Sequence, residues 1–264
     1  MAEGAMDDLS KAVLAKKADL GVIFDADGDR VFFVDDKGRP VIPDAAIFLL
    51  AKDFKGSVVL SVNVGILARE LLTENRRKII DSRVGHYFVK KIIKGKKINF
   101  AAEISGHYYF KFEGFSARGA CLPDRQACLS GRQGPAYWDS GIFAAIEFMN
   151  QVSRLKEARL APKRFGAASL SEWIDSLPKY FRSGELNFEV KNKEEAIKKI
   201  ETCYKNRAKK ISHLDGLTME GGPPAGEWRF NLRPSNTEDL LRLNLEAKDK
   251  IFFEENIDQL KKLF

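Results

Sequence analysis

Cysteine is scarce in this chain of 264 residues, with three in all, at 121, 128 and 203. Two of them stand seven positions apart, which gives neither a disulfide framework nor a close-spaced thiol pair for a metal. Long apolar runs are absent too: none reaches the roughly 18 residues that a membrane span requires. The opening stretch MAEGAMDDLSKAV lacks the apolar core of a secretory signal. Together these absences predict a soluble protein in a reducing, cytoplasmic setting with no membrane partner. Also missing is the interleaving of aromatic and basic residues found in RNA readers. The chain carries 44 Lys and Arg against 37 Asp and Glu, for a net charge of +7. Its lysines are spread through helical patterns such as KKIIKGKK and KKIETCYKNRAKK, as solvated helix faces would be. Nucleic acid is therefore not expected as a partner, whereas a dianionic metabolite needs only a few well-placed arginines.

Hydrophobic residues make up 44% of the chain, enough for a real core. Short β-branched or aromatic runs at 20–24, 31–34, 58–62, 78–80 and 98–102 read as strands. Amphipathic patterns at 44–54, 65–75 and 86–94 read as helices, and the alternation predicts an α/β layer with a largely parallel sheet. A long helix is expected over 139–159, with Asp139 as its N-cap. Beyond APKRFG at 162–166 the pattern changes to strands such as ELNFEV, EWRFNL and LLRLNLEA. Among them lies a helix that Asn192 and Glu195 open as a capping box. Residues 166–264 are thus expected to form a small α+β unit. Before the long helix, at 120–133, lies a seven-residue tandem repeat, ACLPDRQ then ACLSGRQ, read as an inserted surface loop.

The stretch GVIFDADGDRVFFV, residues 21–34, sets Asp25, Asp27 and Asp29 at every second position directly after a strand. A loop folding these carboxylates around one point makes a site of hard oxygen ligands suited to Mg²⁺. An EF-hand loop starts the same way, but its glycine and glutamate positions hold Arg30 and Asp36. A phosphatase of the haloacid-dehalogenase type, with Asp25 as nucleophile, is the other enzyme reading. Two further motifs follow. AAEISGHYYF places Glu103, Ser105 and His107 after a strand, a carboxylate and hydroxyl able to meet sugar hydroxyls beside an imidazole. RPSNTEDLLR gathers Arg233, Ser235, Asn236 and Thr237 in one tight loop, the composition of a phosphate cradle.

With these three motifs in this order the chain resembles the α-D-phosphohexomutases, the phosphomannomutase/phosphoglucomutase family. Its metal loop is matched at Asp25, Asp27, Asp29 and Arg30, with Ala26 in place of a glycine. Its sugar loop is matched at Glu103, Ser105, Gly106 and His107. Its phosphate loop is matched from Arg233 to Arg242, with Asp239 in place of a proline. SRVGHYFVKK resembles a further substrate loop, with Arg83 and His86 as contacts.

The resemblance implies three parts. Residues 1–42 would be the end of the family's second domain, 43–165 its third domain with an insertion at 113–136, and 166–264 its fourth, phosphate-binding domain. It also implies a Mg²⁺-dependent transfer of a phosphoryl group between O1 and O6 of a hexose phosphate, through a hexose 1,6-bisphosphate. Glu103 and Ser105 would hold the sugar. Arg233, Ser235, Asn236, Thr237 and Arg242 would hold the phosphate that does not react. Arg30, His107 and His86 are the candidates for charge stabilisation and proton transfer. The family's phosphoserine loop has no counterpart among the 264 residues. The chain alone is therefore expected to be inactive, either working with a separately encoded N-terminal half or surviving as a non-catalytic sugar-phosphate binder.

Overall fold

A computed structural model of the protein describes residues 4–113, 135–157, 169–222, 226–235 and 238–264. It opens with helix α1 (Ala5–Lys16), packed on an antiparallel hairpin of β1 (Leu20–Phe24) and β2 (Val31–Asp35). This pair forms its own two-stranded sheet, so these two strands do not join the α/β layer. The first large unit follows: α2 (Pro43–Ala51), β3 (Val58–Ser61), α3 (Ile66–Glu74), β4 (Ile79–Ser82), α4 (His86–Lys96), β5 (Phe100–Ala102), β6 (Tyr108–Phe112), β7 (Ala136–Asp139) and α5 (Gly141–Glu157). Its sheet runs in the order β4-β3-β5-β6-β7. Only the β3–β4 and β3–β5 pairs are parallel; β6 and β7 turn back and pair antiparallel. The expected largely parallel sheet is in fact mixed, because the sugar-loop segment returns as a hairpin rather than through a crossover helix.

All four residues of β3 are buried, as they must be in a strand covered on both faces. Val58 and Leu60 face a core shared with α2, α3 and α5, while Val59 faces a second core with Val89 and Ile93 of α4. The short helix α6 (Leu170–Asp175), which the sequence pattern places with the second unit, buries Leu170 and Trp173 in this first core. The long helix begins at Gly141, and its cap is Ser140, whose Oγ accepts from the Phe143 amide at 3.1 Å. Asp139 is instead the last residue of β7, free to point elsewhere.

The second unit is a five-stranded antiparallel sheet in the order β8-β12-β11-β10-β9. Its elements are β8 (Phe181–Glu189), α7 (Lys193–Tyr204), β9 (Ala208–Ser212), β10 (Leu217–Gly221), β11 (Trp228–Pro234), β12 (Leu240–Ala247) and α8 (Lys250–Lys261). Asn192 caps α7 through the Glu195 amide as expected, but the helix stops at Tyr204 and residues 208–212 form a strand. Leu217, Met219, Phe230, Leu243 and Leu245 fill a core under α7 and α8. The opposite, polar face of this sheet lies against the first unit. Arg229 there is 3% exposed and donates to the Val62 carbonyl at 2.5 Å. The inserted repeat and its two cysteines fall outside the described residues, among which Cys203 is exposed and free.

Candidate active site

Parallel strands send the loops that follow them to one edge of a sheet. The loops after β4 (residues 83–85) and β5 (residues 103–107) therefore emerge side by side. The aspartate loop is brought to the same place by backbone pairing. Val31 N–H donates to the Gly106 carbonyl at 3.2 Å, Arg30 and His107 form an isolated antiparallel bridge, and Gly141 N–H donates to the Gly28 carbonyl at 3.1 Å. A side chain at 141 would collide with the Gly28 carbonyl and the Arg30 backbone, so only glycine lets helix α5 start this close. Gly28 itself sits at φ 74°, a left-handed turn that glycine adopts without strain.

Within this frame Asp25, Asp27 and Asp29 come together, with one oxygen from each within 4.8 Å of the others. Asp25 is nearly covered, accepting from the Arg30 amide at 3.1 Å and from Arg30 Nε at 2.5 Å. Burial works against its charge, but these bonds and the guanidinium hold its pKa at about 2. Asp29 goes the other way: burial raises its pKa, and Asp25, Asp27 and Asp139 raise it further against the pull of His107. Its Oδ1 is buried with no hydrogen-bond partner. An orphaned oxygen among three carboxylates, with an all-oxygen donor set, fits a Mg²⁺ ion. Asp29, His107 and Asp139 form an overlapping cluster, whose imidazole suits Mg²⁺ less well.

His107 is held by acidic groups on two sides, with Nδ1 3.4 Å from Asp139 Oδ2 and 3.7 Å from Asp29 Oδ2. Burial pulls its pKa down, but Asp139, Asp29 and Glu103 outweigh this and raise it. Asp139 in turn takes an ion pair from Lys90 of α4 at 2.7 Å. Glu103 points inward and is 3% exposed. Its oxygens accept from the Gly85 amide and from the Tyr109 hydroxyl, each at 2.7 Å. It thus ties the sugar loop to the loop after β4, while Ser105 beside it is exposed.

The second unit closes on this edge through Asp215, in the turn before β10. Its Oδ2 accepts from the Val84 amide at 3.0 Å, and Arg83 Nε lies 3.7 Å from Oδ1. Arg83 also lies over the Phe88 ring at 4.4 Å. Gly216, next along, packs against the backbone of Arg233. An unbroken series of contacts therefore leads from the aspartate loop through His107, Glu103 and Asp215 to Arg233. Arg233 and Arg242 stand directly opposite each other on β11 and β12. Ser235 lies just beyond Arg233, buried, its amide donating to the Leu240 carbonyl.

Residues 43–180 match the family model for the phosphoglucomutase/phosphomannomutase alpha/beta/alpha domain III, and residues 185–260 match that for the C-terminal domain. The chain belongs to the phosphoglucomutase/phosphomannomutase family. Among relatives, a phosphomannomutase of Methanocaldococcus jannaschii is 32% identical over 263 residues, covering 98% of this chain and 50% of its own length. A protein of Xanthomonas campestris named phosphohexose mutases is 28% identical, over 92% of this chain and 47% of its own. The crystal structure of a family member from Burkholderia thailandensis superposes with a TM-score of 0.70 at 23% identity, over 98% of this chain and 49% of that one. This chain thus spans about half the length of the relatives it matches.

Placed in the family, the sequence-predicted residues sort clearly. Asp25, Asp27, Asp29, Arg30, Glu103 and His107 are joined by the contacts above, and Arg83 meets them through Asp215. His86 opens α4 as an exposed residue at this edge. Arg233, Ser235 and Arg242 share one hairpin, while Asn236 and Thr237 lie outside the described residues. The dehalogenase-type reading of Asp25 falls with the family assignment. Lys90, Tyr109, Asp139 and Asp215 were not singled out as site residues by sequence reasoning. Only Asp139 carried a signal, in its place just before a helix, and that signal pointed to a cap.

Proposed function

We propose that this chain forms the metal-binding and sugar-phosphate-binding part of a phosphohexomutase that moves a phosphoryl group between O1 and O6 of a hexose phosphate. The observation that carries the reading is the continuity of the aspartate loop, His107 and the Arg233–Arg242 hairpin along one edge of the fold. One end collects negative charge for a cation, and the other presents two guanidiniums to an anion. Mg²⁺ held by Asp25, Asp27 and Asp29 would supply positive charge to the phosphoryl group in transfer. Arg30, anchored on Asp25, adds a second cation there. His107, its pKa raised between Asp139 and Asp29, is placed to exchange a proton with a sugar hydroxyl. Ser105 and Glu103 line the space between; Glu103 reaches a sugar hydroxyl by sharing an oxygen now held by Gly85 or Tyr109. Arg233, Ser235 and Arg242, with Asn236 and Thr237 of the same motif, grip the phosphate that stays put. A similar fold at a TM-score of 0.57 and 14% identity belongs to an N-acetylglucosamine-phosphate mutase solved in a substrate complex, so substrate preference among hexose phosphates is left to assay. A cytoplasmic setting fits the free Cys203, and no helix among the described residues is long and apolar enough to cross a membrane.

No serine or threonine stands in the loop 25–30, so these residues alone offer no hydroxyl there to carry the phosphoryl group. The test is an assay of the 264-residue chain with glucose 1-phosphate, Mg²⁺ and a 1,6-bisphosphate. The expected outcome is no turnover by the chain alone, and turnover once the N-terminal half of a relative is supplied in trans. Turnover by the isolated chain, with label on one of its own serines, would overturn the division of labour. Failure of the reconstituted pair while hexose phosphate still binds would favour a non-catalytic binder.

A further inference from the structure

Arg233 and Arg242 face each other across the β11–β12 ladder, where like charges repel. Glu185 resolves the repulsion from the next strand. Its Oε2 lies 3.4 Å from Arg233 Nη2 and its Oε1 3.2 Å from Arg242 Nη1. Glu238 adds a contact to Arg242 Nη2 at 3.0 Å. One carboxylate thus takes one oxygen to each of two guanidiniums, a place a phosphate would fill with more oxygens and more charge. The Nε atoms of both arginines are buried without hydrogen-bond partners, so donors remain that Glu185 does not satisfy. We propose that Glu185 is a resident counterion of the anion site, which a phosphate must displace and which sets a charge threshold for entry. A dianion outcompetes the tethered carboxylate; a monoanion does not. The inference rests on the reading of this hairpin as the phosphate cradle.

Phosphate is the probe, titrated calorimetrically into the full 264-residue chain. Glu185→Gln keeps the shape of the side chain and removes its charge. The variant is expected to bind inorganic phosphate about tenfold more tightly, the size of effect that follows from removing two exposed ion pairs that the ligand must break. It should also gain measurable affinity for acetate, so that the preference for phosphate over a monoanion falls. Glu185→Asp, with its charge drawn back by one methylene, should lie between. Equal or weaker phosphate binding by Glu185→Gln, with Arg233→Ala still abolishing it, would overturn the counterion role and leave the cradle standing. Unchanged binding by Arg233→Ala would remove the cradle itself.

Discussion

Asp27 is the exposed member of the aspartate trio, and no side chain of its own loop engages it in the way that Arg30 engages Asp25. Asp27→Ala should therefore leave the melting temperature almost unchanged, as surface substitutions do, while abolishing the Mg²⁺ binding expected of the parent chain in a titration. Equal metal binding by the variant would show that the trio is not the ligand set. Tyr109 is the opposite case. Its hydroxyl is buried against Glu103, and burial with that carboxylate pushes its pKa far above the usual range, so it stays a neutral donor. Tyr109→Phe leaves a buried carboxylate oxygen short of a bond. That should cost about 1–3 kcal/mol in denaturant unfolding, with metal binding preserved. The aspartates, and Arg233 with Arg242, were legible in the sequence because each set lies within one short motif. Tyr109, Lys90 and Asp139 were not, because their roles arise from strands and a helix distant in sequence.

Helix α3 shows how an element can depend on a distant one. Its N-cap is Gly65, which has no side chain to bond the first turn. Those amides are met from outside: Ile66 N–H donates to Glu246 of β12 at 2.7 Å, and Ala68 N–H to Asp44 of α2 at 3.0 Å. Arg182 pairs with both carboxylates. Carboxylates at a helix N-terminus also suit its dipole. Glu246→Ala should cost about 1–3 kcal/mol, since it leaves the Ile66 amide without its acceptor while Arg182 keeps Asp44 alone. Gly65→Ala, whose Cβ would run into both carboxylates, should loosen the same contact, read as faster proteolysis between the two sheets. The α6 helix is tied down by charge instead. Asp175 takes ion pairs from Arg39 at 2.8 Å and Lys37 at 3.0 Å, and these lower its pKa to about 2. A carboxyl depressed on folding adds stability that is complete above its ordinary pKa near 4 and is lost as pH falls toward 2. Asp175→Asn should flatten that part of the acid unfolding profile, and an unchanged profile would count against the pairing.

The two sheets have separate apolar cores and meet through a polar seam. Arg229 is its centre, bonded to the Val62 carbonyl and paired with Glu220. Burial and the nearby Arg69 charge press its pKa downward, the mark of a guanidinium drawn out of water. Arg229→Met should lower stability by roughly 3 kcal/mol by leaving its partners unpaired, and it should uncouple the two cores. Trp173 reports on the first core and Trp228 on the second. Fluorescence of single-tryptophan versions should then show two unfolding midpoints where the parent shows one.

Local pattern was enough to place most strands and helices and the three motif loops, since hydrophobic period and loop chemistry act over a few neighbours. The helix α1 was not read from the sequence; it gains its stability from packing on β1, with Val13 against Gly21. The strands β6 and β7 escaped local pattern too, and with them the antiparallel edge of the first sheet. Most telling is the alternation in WRFNLRP and LLRLNLEA. Period two states that Arg229, Asn231, Arg242, Asn244 and Glu246 share the face opposite the core, and does not say what that face meets. In the folded chain one end of it is buried against the first sheet, with Arg229 and Asn231 3% and 2% exposed, while at the other end Arg233 and Arg242 pair with Glu185. A polar residue looks alike in sequence whether water or a second domain satisfies it, and that partner is chosen only when the sheets dock.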